Sequence, residues 1–150
     1  MATDVNQYLG NPNLKKSNVP VEFTKEQIQE YQKCMDDPVY FIQEYMKIVS
    51  LDEGLVPFKM YDFQRNMVKT FHDNRFTICK LPRQSGKSTT IIAYLLHYVL
   101  FNPNVNVAIL ANKSSTARDI LGRLQVGYEN LPKWLQQGVI SWNKGSLDLE

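Results

Sequence analysis

Cysteine is scarce in this 150-residue sequence: Cys34 and Cys79 are the only two, and neither has a Cys-x-x-Cys partner or histidine-rich company. That spacing suggests neither a zinc site nor a disulfide framework, and a reducing compartment is expected. Charge of one sign is also lacking, with 17 basic against 15 acidic residues and a formal net charge of +2. So small an excess does not by itself draw the chain to nucleic acid or to a membrane surface. Long hydrophobic runs are missing too. The most apolar stretch, IIAYLLHYVLF, falls short of the roughly 20 residues a spanning helix needs and carries His97 in its middle, so it reads as a buried helix. The first residues, MATDVNQYLG, have neither a basic start nor an apolar stretch, so no secretory signal is expected and the protein should stay inside the cell.

Residues 1–23 are rich in Asn, Pro and Lys, without helical or strand periodicity, and are expected to form a flexible tail. From residue 24 to 150 the pattern is that of one domain. Thr24 with Gln27 forms a capping box ahead of Ile28, Tyr31 and Met35. Asp37 caps a second helix that has Pro38 at its first position, with Phe41, Ile42, Tyr45, Met46 and Val49 as its buried stripe. Gly54 and Pro57 break the pattern, and Phe63, Met67, Val68 and Phe71 resume it in a third helix. RFTICKL then reads as a buried strand, residues 87–101 as a helix stopped by NPN, and VNVAIL as a second strand. A last helix, capped by Ser114 or Ser115, carries Ala117, Ile120, Leu121, Leu124 and Tyr128 on one face. GVISWNKGSLDLE closes the chain as two strands around an Asn-Lys-Gly turn. Strand, helix, strand, helix predicts an α/β fold with a parallel sheet and right-handed crossovers, preceded by short helices.

Between the first expected strand and its helix lies LPRQSGKSTT, residues 81–90. Its second half is that of a phosphate-binding loop (Walker A, GxxxxGK[ST]). In that loop backbone N–H groups wrap the β-phosphate, the lysine reaches the β- and γ-phosphates, and the hydroxyl ligates Mg²⁺. Gly86, Lys87 and Ser88 fit those three roles, Ser88 being the candidate metal ligand. Gln84 and Ser85 contribute chiefly backbone N–H groups, and Thr89 follows in the first turn of the helix, whose N-terminus faces the anion. Leu81 replaces the loop's first glycine; that position ends the strand and need not approach phosphate as closely as Gly86 must. Arg83, inside the loop, has two open readings: a cis arginine finger on the γ-phosphate, or an outward surface arginine.

Hydrolysis also needs one carboxylate for Mg²⁺ and another to activate water, usually at the end of an apolar strand. The apolar run ending in such a pair is KIVSLDEG. It precedes the loop, so Asp52 and Glu53 read as a solvated helix end, while Asp148 and Glu150 alternate on a half-exposed strand. These residues therefore hold no convincing catalytic carboxylate.

PRQSGKS, with YDFQRNMV upstream and VAILANKSS and LPKWLQQGVISWNKGSLDLE downstream, resembles the large terminase subunit of tailed bacteriophages, especially the contractile-tailed type. The likeness runs from about residue 38 to residue 150. It implies the N-terminal part of an ATP-driven DNA-packaging motor with a RecA-like P-loop core, here incomplete. ATP and Mg²⁺ are the implied cofactors, with Lys87 and Ser88 on phosphate and metal, Arg83 as the cis finger, and Phe63 and Gln64 as the adenine-recognition pair. Double-stranded viral DNA, a portal protein and a small terminase subunit are the implied partners, in the host cytoplasm and transiently at the procapsid portal. Family members continue into an Asp-Glu strand, a coupling motif and a metal-dependent nuclease domain, so the ATP-binding portion alone is expected here. The first domain of a superfamily-two helicase and a non-hydrolytic nucleotide- or partner-binding module stand as alternatives.

Overall fold

A computed structural model describes residues 6–50 and 52–150. In chain order the elements are β1 (Gln7–Tyr8), β2 (Asn11–Lys15), α1 (Lys25–Asp36), α2 (Pro38–Tyr45), β3 (Lys47–Ser50) and β4 (Gly54–Pro57). There follow α3 (Asp62–Asp73), α4 (Lys87–Phe101), α5 (Ser114–Glu129), β5 (Val139–Trp142) and β6 (Leu147–Leu149). The first two helices begin where local chemistry supplies their orphan donors with a partner. Thr24 and Gln27 form the reciprocal capping box of α1, and the Asp37 carboxylate accepts from the N–H groups of Val39 and Tyr40 at the start of α2, where Pro38 lacks an N–H to lose.

The core is helical. Helix α4 packs against α2, α3 and α5, and Ile92, Ala93, Leu96 and Leu100 meet Phe41, Ile42, Met46, Val68, Leu124 and Tyr128 in one buried cluster. Helix α5 comes close because Gly127 lies against Met46 and Leu96: a β-carbon there would stand 2.6 Å from the Met46 Cε. Tyr128 is wholly buried, and its hydroxyl donates to the Gln137 carbonyl.

The sheets differ from expectation. The chain is mixed α/β, but the described strands form three separate two-stranded antiparallel sheets, β1–β2, β3–β4 and β5–β6. RFTICKL and VNVAIL carry no strand pairing, and Phe76, Ile78 and Leu110 are 82%, 98% and 87% exposed. A strand exists only with a neighbour to receive its backbone hydrogen bonds, and neither segment has one within the described residues. The stripe expected on the second helix also stops short: α2 ends at Tyr45, and Val49 lies in β3, 67% exposed. Asp52 and Glu53 are exposed at the β3–β4 turn rather than at a helix end. On α1 the inward side is carried by Tyr31 and Cys34, while Ile28 and Met35 stay exposed. Helix α5 takes Lys113 as its N-cap, without a side-chain cap from Ser114 or Ser115. The closing hairpin forms as expected, with Asn143 Oδ1 accepting from Gly145 and Ser146 N–H across its turn.

Residues 1–23 were expected to be a tail, yet residues 7–15 fold as the β1–β2 hairpin and dock on the far end of the chain. Leu14 is buried. Gln136, itself buried, accepts from Lys15 N–H at 3.0 Å and donates to the Asn13 carbonyl at 2.9 Å, and Ser17 N–H reaches the Val139 carbonyl. Residues 1–5 lie outside the described residues. Among the described residues no helix is long and apolar enough to cross a membrane.

Candidate functional site

The loop of residues 81–86 feeds directly into α4. Gly86 takes a left-handed conformation at φ 74°, two residues after Gln84 at φ 61°, and α4 starts at the following residue. Thr90 secures the junction, its N–H and its hydroxyl both donating to the Gly86 carbonyl at 3.0 Å. Ser85 Oγ and Lys87 Nζ both donate to the Pro82 carbonyl, at 3.0 and 3.1 Å, so the lysine lies along its own loop. Arg83 and Ser88 are exposed, and Arg83 makes no ion pair among the described residues.

Beside the loop is a cavity of about 410 Å³ between β3, the start of α3 and the loop itself. Of the residues singled out in the sequence it gathers Phe63, Gln64, Gln84, Ser85, Gly86 and Thr89. Arg83, Lys87 and Ser88 flank the same turn without lining that space. Ile48, Phe58 and Tyr61 complete its apolar wall and were missed by the sequence reading. Tyr61 left a readable signal: an aromatic two residues before Phe63. The two rings stack at 5.9 Å with planes 9° apart, and Tyr61 is 70% exposed. A flat apolar face beside a helix N-terminus can hold a planar heterocycle while the backbone N–H groups hold an anion.

Gln64 is differently placed from an exposed helix residue. It is 2% exposed; its Oε1 accepts from Tyr61 N–H at 2.9 Å and its Nε2 donates to the Ser85 carbonyl at 3.4 Å. A larger cleft of about 810 Å³ lies elsewhere, between the 102–109 segment, α5 and the β5–β6 turn, and shares no residue with the loop.

Residues 78–150 match the family described as terminase large subunit, T4likevirus-type, N-terminal. The resemblance drawn from PRQSGKS and from the Trp142–Ser146 stretch is matched over that span. The match takes in residues 81–86, α4, α5 and the closing hairpin, but begins after Phe63 and Gln64.

Proposed function

We propose that this chain is the nucleotide-binding portion of a terminase large subunit, taking Mg-ATP at the turn from residue 81 to α4. The observation that carries the reading is the left-handed Gly86 at the head of α4, opening beside a cavity walled by Tyr61, Phe63 and Phe58. On this reading the γ- and β-phosphates lie over the loop N–H groups, Lys87 turns from the Pro82 carbonyl onto phosphate, and Ser88 holds Mg²⁺. Arg83 can reach the transferring phosphate, being exposed and without an ion-pair partner. The adenine fits against the aromatic wall. None of the described residues lining the cavity is a carboxylate, which favours binding over turnover within these 150 residues. The intact motor would couple ATP hydrolysis to DNA movement at the procapsid portal in the host cytoplasm.

The same reading accounts for the unpaired apolar segments. On this reading residues 75–81 and 105–110 would be two parallel strands of a P-loop core, and the exposure of Phe76, Ile78 and Leu110 supports their having an apolar face to cover. The family match favours the terminase over a helicase.

Calorimetric titration of wild type and Lys87→Ala with ATP and Mg²⁺, with phosphate release followed in the same samples, tests the reading. Binding that Lys87→Ala weakens at least tenfold, without release, is the expected result. Folded wild-type protein that takes up no nucleotide would overturn it.

A further inference from the structure

One N–H and one carbonyl lone pair of the buried Gln64 amide are engaged inside the protein. Tyr61 N–H can only donate and the Ser85 carbonyl can only accept, so Oε1 must face the first and Nε2 the second; turning the amide over would set like against like on both sides. This one side chain therefore ties the first turn of α3 to the backbone of the phosphate loop. The loop is shaped around it as well. A β-carbon on Gly86 would stand 2.5 Å from Gln64 Nε2, so any side chain at residue 86 would push the Gln64 amide from its place, besides straining a backbone held at φ 74°. From this geometry we infer that Gln64 is a positioning residue: it holds the Ser85–Gly86 peptide in the shape that presents the loop N–H groups, beside the aromatic face of Tyr61 and Phe63. The inference rests on the nucleotide reading only for its second measurement.

The first measurement is amide hydrogen exchange of residues 84–88 in the unliganded protein at pH 8, comparing wild type with Gln64→Glu. The ionised carboxylate keeps an acceptor for Tyr61 N–H but sets an oxygen against the Ser85 carbonyl. Exchange across the loop should quicken about fivefold, the factor corresponding to one ordinary hydrogen bond, while α3 amides keep their rates. Unchanged loop rates would overturn the inference.

The second measurement titrates Gln64→Leu, which brings no charge near phosphate, with Mg-ATP and with Mg-tripolyphosphate, a ligand that has no base. A positioning role weakens both by the same factor. Loss of ATP affinity with tripolyphosphate affinity intact would show that Gln64 reads the base, and would refute the proposal. If wild type binds neither ligand, the nucleotide reading fails, and the exchange rates alone decide the role of Gln64.

Discussion

Lowering the pH from 7.5 to 4 should cost this protein about 3 kcal/mol through a single side chain, His97. Its ring is 2% exposed in the middle of α4, among Phe41, Tyr94 and Phe101. Nε2 donates to the Cys34 carbonyl at 2.8 Å, which leaves Nδ1 as the bare nitrogen, buried and without a partner. A second proton would have to go there, where no hydrogen bond is in place. Burial first, and then the nearby His72, drive the pKa down from 6.5 to about 4, against opposing pulls from the Cys34 carbonyl, the Met35 backbone and Asp37.

The unfolded chain takes up the proton near pH 6.5, while the folded protein refuses it until about pH 4. The stability held in the neutral ring is thus whole above pH 6.5, declines as pH falls through that interval, and is spent once both states are charged. At about 1.4 kcal/mol per pH unit the loss comes to roughly 3 kcal/mol. Urea unfolding, followed by the fluorescence of Trp134 and Trp142, measures it at each pH. His97→Gln supplies the reference, because its amide can donate to the same carbonyl without titrating and the carboxylates titrate alike in both proteins. Wild type should lose about 3 kcal/mol more than the variant between pH 7.5 and 4. Parallel curves would refute the account of a neutral, unpartnered ring.

Gly127→Ala should lower stability by about 1–2 kcal/mol in the same urea assay, the overpacking against Met46 and Leu96 outweighing the better helix propensity of alanine; a stabilised variant would show that α5 has room to spare. Glu30 accepts from the hydroxyls of both Tyr40 and Tyr45, and that bond, with burial and charge behind it, lifts the Tyr40 pKa to about 12. Glu30→Gln should bring Tyr40 back toward its ordinary value of 10, seen as earlier tyrosinate absorbance in an alkaline titration, and should move Tyr45 less because burial is its first cause.

What could be read from the sequence was chiefly what is local. Thr24 with Gln27, and Asp37 with Pro38, announce helix starts because the side chains that cap a helix sit within three residues of the groups they satisfy. Gly86-Lys87 announces the loop for the same reason, and α4 spans the residues its pattern gave. What escaped depends on distant partners. Asn13 and Lys15 show no strand periodicity, yet their strand is held by Gln136, more than a hundred residues on. RFTICKL has the composition of a strand but no neighbour among the described residues, and propensity alone cannot supply one. Of the residues around the cavity, Phe63, Gln64, Gln84, Ser85, Gly86 and Thr89 were named from the sequence, and the rest of its apolar wall was not. Ile48, Phe58 and Tyr61 come from the β3–β4 hairpin and the turn after it, which bring them to the loop only in three dimensions.

The docking of β2 on Gln136 and Val139 also sets an order of events during synthesis. Lys15 and Gln136 are 121 residues apart, which at about 5–20 residues per second leaves the hairpin waiting on the order of ten seconds for its seat to be made. Through that interval Leu14 has no cover from residues 136–139, and the helices must gather without their clasp. The first strands to be translated are therefore among the last to find their place, and any nascent chain stalled before residue 136 presents them bare.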